Sequence, residues 1–263
     1  MAVSTVSTVN LYLLNKSGPY VPPGPNNNPI ETNQTFPYDY GGELSTQFNA
    51  NYASTTQTVT VSNYSTIKNG SYTIRASSYA TLSGTAMNPS RAFTVASGGY
   101  ASCFYFGRLV AAPTWTGYYN DSNTLVNYTQ EPYNTLTYLG GGSGKFWTTV
   151  YDTNQSVSGE WIEVKFPFKA LIKSITLRPI TGNLAFCPRA GKVLGSDDGI
   201  TWVLIGNYSQ TPTAYAYYTD TFPTNTKRFQ YIRFVITGCG HAKIGLETLK
   251  YAMDIYDLTA DTQ

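Results

Sequence analysis

Two patterned stretches constrain the fold of this chain more than anything else in it. In Gly159-Glu160-Trp161-Ile162-Glu163-Val164-Lys165-Phe166-Pro167, the alternation puts Trp161 and Glu163 on one face of a strand. Ile162, Val164 and Phe166 then lie on the other, because successive strand side chains point to opposite faces. Farther along, Pro188 to Trp202 reads as a buried strand, with Lys192 to Leu194 inside it, entering a tight turn. The turn is Gly195-Ser196-Asp197-Asp198-Gly199, where Asp side chains bond nearby backbone and Gly199 supplies a positive φ. Trp202 opens the strand that follows. Trp161 and Trp202 each bring a large apolar area to a sheet face and read as core residues before ligand platforms.

Similar signals recur along the chain. Thr58 to Val61, Ser71 to Ser77, Leu171 to Leu177, Thr201 to Ile205, Tyr231 to Ile236 and Ile244 to Tyr256 all read as strands, punctuated by Gly, Pro, Asn and Asp. This is the spacing of a β-sandwich. No amphipathic helix longer than two turns is visible, so the reading is all-β. Residues 1–58 are expected to form an extended arm. Their run from Gly18 to Pro29 holds five prolines and suits neither a helix nor a central strand. Tyr20, Val21, Pro22 and Pro23 are the residues expected to touch a neighbouring subunit. The sandwich is placed at 59–257, with a long insertion at about 94–146 and a tail at 258–263. The insertion's cluster from Gly140 to Gly144 is no phosphate cradle, because no Gly-Lys-Ser/Thr follows it.

Charge excludes several functions. Only 12% of residues are charged and the net charge is +2, against about 25% charged in an average soluble protein. No clustered basic stripe marks a nucleic-acid interface. In place of charge stand 23 tyrosines and many Thr, Ser and Asn residues, a hydrogen-bonding and aromatic surface suited to proteins or sugars. Cys103, Cys187 and Cys239 lack metal-ligand spacing and are expected to be free and buried, as in a reducing compartment. The first residues lack a basic segment and a long apolar one, so no secretory leader is expected. No apolar run is long enough to span a membrane as a helix.

Little in the sequence resembles catalytic chemistry. His241 is the only histidine and sits in a glycine-flanked turn beside Cys239, with no orienting acid evident. Glu160 and Glu163 point to opposite faces of one strand and cannot flank a glycosidic bond. Arg189 and Arg233 read as hydrogen-bonding braces. No cofactor is expected, although one structural calcium on loop carbonyls would leave no trace in a sequence. The best binding chemistry lies in the insertion, where Trp115, Tyr118, Tyr119, Asn120 and Asp121 combine aromatic rings with polar neighbours. That group is expected to serve as a glycan platform, to fill a small core beneath the long loop, or to press on a neighbouring subunit.

The two opening motifs resemble those of discoidin (coagulation factor 5/8 C-type) domains, over about residues 65–257. Gly159 to Ile162 is similar to that family's Gly-Glu-Trp-Ile strand. Pro188 with Gly195, Ser196, Asp197, Asp198, Gly199 and Trp202 matches its Gly-Ser-Asn-Asp-Gly-x-x-Trp turn, Asp197 replacing the usual Asn. Tyr231 to Phe234, Ile244 to Glu247, Asn88 to Phe93 and Phe146-Trp147 resemble further core segments. The resemblance implies a jelly-roll β-sandwich of galactose-binding-like topology, with Trp161, Gly195, Ser196, Asp198, Gly199 and Trp202 as its structural motif. The composition and the arm also resemble virion proteins of large algal and amoebal DNA viruses. That second likeness implies a non-enzymatic minor capsid component, assembled in the host cytoplasm and contacting other capsid proteins, the major capsid protein above all. The alternative is a carbohydrate-binding module for host or particle glycans.

Overall fold

The computed structural model describes residues 28–37, 56–62, 67–82, 85–93, 103–110, 115–119, 125–127, 147–150, 155–240 and 243–260. In chain order the strands are β1 (Glu31–Phe36), β2 (Thr56–Val61), β3 (Gly70–Ala76), β4 (Ala80–Leu82), β5 (Thr85–Met87), β6 (Phe104–Val110), β7 (Trp115–Tyr119), β8 (Leu125–Asn127) and β9 (Trp147–Val150). There follow β10 (Gln155–Ser158), β11 (Trp161–Arg178), β12 (Pro188–Ser196), β13 (Val203–Ser209), β14 (Tyr218–Thr221), β15 (Phe229–Cys239), β16 (Lys243–Leu246) and β17 (Thr248–Tyr256). Short 3-10 turns at Pro89–Phe93 and Leu184–Phe186 are the helical pieces among the described residues, and no helix there is long and apolar enough to cross a membrane.

The fold is an all-β, antiparallel sandwich organised around β11. Its first half pairs with β3 (Lys165 opposite Thr73) and β15 (Lys165 opposite Tyr231), and β12, β13 and β2 extend that layer. Its second half pairs with β17 (Arg178 opposite Thr248) and β14 (Leu177 opposite Tyr218), and β1 closes that layer on the far side of β17. The sequence reads Gly159 to Phe166 and Leu171 to Leu177 as separate strands, with Pro167 as the break. They are one strand of 18 residues. Pro167 is tolerated because it falls where β11 leaves one layer for the other: the ladder with β15 skips from Lys165 to Ala170, so the missing N–H costs no ladder bond. In the opposite sense, Ile244 to Tyr256 splits at Glu247 into β16 and β17.

The core lies between the layers. Ile162, Val164, Ile232 and Phe234 face Ile175, Leu177, Leu249, Tyr251 and Met253, all fully buried. An aromatic knot joins the two sides: Phe166 meets Phe36 edge-on at 5.0 Å and stacks on Phe168 at 5.1 Å. Such pairs add roughly 0.5–1.5 kcal/mol beyond their buried area. Phe36 comes from β1, inside the segment expected to be an arm. Glu31–Phe36 is instead an edge strand of the sandwich, held by Phe36 in the core and by Lys68, which pairs with Glu31 at 2.8 Å and bonds Gln34 at 2.7 Å. Ordinary strand pairing and one large aromatic outweigh the proline-rich composition that precedes it.

A second, smaller core covers the outer face of the first layer, where Val157 of β10 meets Trp161, Leu194, Trp202 and Val235. Inside it the Arg233 guanidinium lies 4.0 Å from the ring centroids of both Trp161 and Trp202. Arg233 Nη2 donates to Glu163 Oε2 at 2.7 Å, and Arg75 Nε donates to Glu163 Oε1 at 2.7 Å. Glu160, also fully buried, accepts from the hydroxyls of Ser77 and Ser78.

The turn before Trp202 is set by its own residues. Asp198 Oδ1 accepts the N–H groups of Ile200 and Thr201, both at 2.7 Å, and Ser196 Oγ accepts from Gly199 N at 2.9 Å. These backbone donors hold the Asp198 carboxyl well below the usual carboxylate range. Gly199 has φ +72°, and a Cβ on Gly195 would stand 1.9 Å from the Phe229 ring.

Candidate functional site

The second layer carries an aromatic and charged cluster at one end of its outer face. Register fixes its members. Thr176 of β11 lies opposite Lys250 of β17 and Thr219 of β14, so these three share a face. Arg178, two residues on, belongs to the same face, and so does Tyr217, two residues before Thr219. The buried alternates, Ile175, Leu177, Leu249 and Tyr251, fill the core beneath.

The loop between β13 and β14 presents Tyr215 and Tyr217, and hydrogen bonds shape it throughout. At its base Ser209 N and Gln210 Nε2 donate to the two carboxylate oxygens of Asp220, each at 2.5 Å, and Gln210 N donates to Arg189 O at 2.9 Å. At its centre the Tyr218 hydroxyl accepts from Thr213 N at 2.9 Å and Ala214 N at 2.8 Å and donates to Ala214 O at 3.1 Å. Those donors lower the Tyr218 hydroxyl below the ordinary tyrosine value.

Arg178 stacks beneath the loop, its guanidinium 4.1 Å from the Tyr215 centroid and 5.1 Å from that of Tyr217. Its Nη1 is 3.3 Å from Glu247 Oε1, and the Tyr215 hydroxyl donates to Glu247 Oε2. Burial, and then this bond to a carboxylate, push the Tyr215 hydroxyl above its ordinary value, so it stays a neutral donor. Glu247 is 2% exposed. Behind it the Cys103 thiol is pushed up to about 12, by burial first and by the charge of Glu247 second. Lys250 Nζ stands 4.0 Å from the Tyr217 centroid. Tyr217 itself is 46% exposed, and the Thr176 and Thr219 hydroxyls, 2.8 Å apart, continue the face away from it. The cluster thus joins an open ring to fixed polar groups, the chemistry by which a surface holds a saccharide or another polar, partly apolar ligand.

The sequence reading centres a glycan platform elsewhere. Trp115, Tyr118 and Tyr119 lie on β7, in a four-stranded sheet of order β16-β6-β7-β8. Strand β16 leads into Glu247, so this sheet joins the sandwich at the edge of the Tyr215 cluster. Asn120 and Asp121 lie outside the described residues, as do His241 and the expected arm contacts Tyr20, Val21, Pro22 and Pro23. Tyr215, Tyr217, Arg178, Glu247 and Lys250 are absent from that reading. The available signal was the run Ala214-Tyr215-Ala216-Tyr217-Tyr218 in a loop opened by Thr211-Pro212-Thr213, but nothing local shows that Arg178 and Lys250 meet it. Trp161 and Trp202 are 8% and 3% exposed, inside the outer-face core. Arg233 joins Glu163 on β11 to the two indoles, Trp161 on β11 and Trp202 at the end of the β12–β13 turn. Cys103 and Cys187 are buried, and half-buried Cys239 donates its thiol to Ala185 O at 3.3 Å. Among the described residues, no three His, Cys, Asp or Glu side chains converge as a metal-ligand set would.

Comparison with known proteins places the chain. No curated protein matches it. Among solved structures it is similar to the family 32 carbohydrate-binding module of Clostridium perfringens NanJ in complex with galactose, at 9% identity and a TM-score of 0.40, over 69% of this chain and 93% of that one. A chitosan-binding module from a Paenibacillus chitosanase/glucanase is similar at 15% identity and a TM-score of 0.38, over 68% of this chain and 92% of the module. A putative chitobiase fragment from Bacteroides thetaiotaomicron is similar at 18% identity and a TM-score of 0.32; the match covers 37% of this chain and 61% of the fragment. The model of the F5/8 type C domain matches residues 114–248, just over half of the sequence. The chain belongs to the F5/8 type C, or discoidin-like, domain family.

Proposed function

We propose that this chain is a non-catalytic carbohydrate-binding module whose platform is the Tyr215–Tyr217 loop. The observation that carries the reading is Tyr217: nearly half exposed, on a loop fixed by the Tyr218 hydroxyl, with Arg178 and Lys250 against its ring. A rigid aromatic surface loses little conformational entropy on binding, and its polar neighbours orient sugar hydroxyls. Membership in the F5/8 type C family supports the reading, since its domains are typically non-catalytic binding modules. The role of minor capsid component has less behind it. Neither the fold nor the comparisons favour a virion protein, and part of the expected arm, Glu31–Phe36, is built into the sandwich.

A glycan array probed with the full chain, followed by titration of the ligands it retains, tests the proposal. Tyr217→Ala is expected to weaken binding by about tenfold or more, the order seen for truncating a central aromatic anchor. Trp115→Ala and Tyr118→Ala test the second platform on β7. If no saccharide is retained, the reading fails. If binding survives Tyr217→Ala but falls with Trp115→Ala, the function stands and the platform moves to β7.

A further inference from the structure

Two of the three cysteines meet where β12 begins and β15 ends. Cys239 closes β15 opposite Pro188, and Cys187 is the residue before Pro188. The Cys239 sulfur sits under the 3-10 turn at Leu184–Phe186, 3.3 Å from Ala185 O and from Phe186 O and 3.5 Å from Cys187 O. Cys187 is fully buried in the main core, and half-buried Cys239 packs against that same core. Burial pushes the Cys187 thiol well above its ordinary value, and the neighbouring Cys239 sulfur adds to that rise. Cys103 differs, packing with Met87 and Ile180 in a separate cluster.

The backbone brings these two residues within bridging distance. One extended step from a paired position puts the Cα atoms of Cys187 and Cys239 about 6 Å apart, inside the range of about 4.4–6.8 Å that a disulfide spans. Strict strand alternation would send the two side chains to opposite faces, but it does not hold here. Cys187 has φ −67° and ψ 137°, a polyproline-like setting in which side chains turn by a third of a revolution per residue. The register of β12 against β15 also slips on either side of Ala190. We propose that Cys187 and Cys239 form a reversible cross-strand disulfide, in which half-buried Cys239 reacts first. Its thiol gives up its proton to solvent, and the sulfur attacks a small-molecule disulfide such as oxidised glutathione. One glutathione leaves as a thiolate and takes up a proton. The Cys187 sulfur, deprotonated in turn, attacks Cys239 Sγ and displaces the second glutathione. Two protein thiols are thereby oxidised and one glutathione disulfide is reduced to two thiols. The bond joins residues 52 positions apart. It encloses β13, β14 and the Tyr215–Tyr217 loop, whose base is held by the bond from Gln210 N to Arg189 O.

The test is peptide mass mapping, without reductant, of the full chain after incubation with oxidised glutathione. The expected result is a cross-linked peptide pair holding Cys187 and Cys239, with Cys103 the one alkylatable thiol left of three. Dithiothreitol should restore all three. Oxidation should raise the melting temperature by about 5–10 °C, because the bond restricts the unfolded chain, and this rise should be absent in Cys187→Ser and Cys239→Ser. Cys187→Ser should instead stop with glutathione held on Cys239. An unaltered chain that stops at that stage, or a bridge made to Cys103, overturns the assignment. So does a chain that keeps three thiols both when folded and when refolded from urea with oxidised glutathione present, where burial hides no sulfur.

Discussion

The molecule contains two stacks of nearly the same parts, and they do different work. In one, the Arg233 guanidinium lies between Trp161 and Trp202 and is bonded to Glu163. In the other, Arg178 lies against Tyr215 and Tyr217 and is paired with Glu247. The first is closed over by Val157, Leu194 and Val235, and its rings are almost wholly buried. The second opens to solvent at Tyr217. An arginine between two rings beside a glutamate is therefore neither a binding site nor a core feature in itself; its covering decides. The rings match their settings, since an indole suits a dry layer and a phenol can keep its hydroxyl in water.

Substitutions can break or sharpen this contrast. The largest expected effect is on stability in the closed stack: Glu163→Ala leaves buried Arg233 without its carboxylate and should cost about 3–5 kcal/mol, measured by urea unfolding. Gly195→Ala forces a methyl group into the Phe229 ring on the strand that leads to Trp202, and should cost about 1–3 kcal/mol as overpacking.

A pH effect comes next. The folded value of Asp198 is depressed, so its contribution is present above the ordinary aspartate value of about 3.9 and is lost as pH falls from there toward the folded value. Asp198→Asn should flatten that part of the acid-unfolding curve, as melting temperatures from pH 5 to the acid limit would reveal. The smallest effect belongs to the open stack. Tyr217→Ala should move stability by no more than about 0.5 kcal/mol while weakening saccharide binding about tenfold or more. A large loss of stability there would mean that the two stacks are both structural.

The sandwich was legible because its strands obey period 2. Trp161 and Glu163 sit opposite Ile162 and Val164 in the structure as in the pattern, and the turn at Ser196 to Thr201 is written in Asp198 and Gly199. The misreadings share one cause, which is that partners distant in sequence decided the outcome. Pro167 ends a strand on local rules, but β11 passes it where no ladder bond is needed. Glu31 to Phe36 looks like the continuation of an arm until β17 lies beside it. The Tyr215 cluster was hidden for the same reason. Its rings come from one loop, while Arg178 comes from the end of β11 and Glu247 and Lys250 from the start of β17, segments that only the completed second layer brings together.

The way β11 serves both layers also constrains how the chain is made. Strand β1 finds its ladder only on β17, and a bond such as Asn33 N to Asp254 Oδ1 joins residues 221 positions apart. The second half of β11 likewise relies on β17. During synthesis, then, the emerging chain can complete neither the second layer nor the aromatic knot around Phe36 until its last strand has left the ribosome. Folding of so non-local a topology is expected to be slow and to wait for β17, with the apolar faces of β1 and β11 uncovered in the meantime.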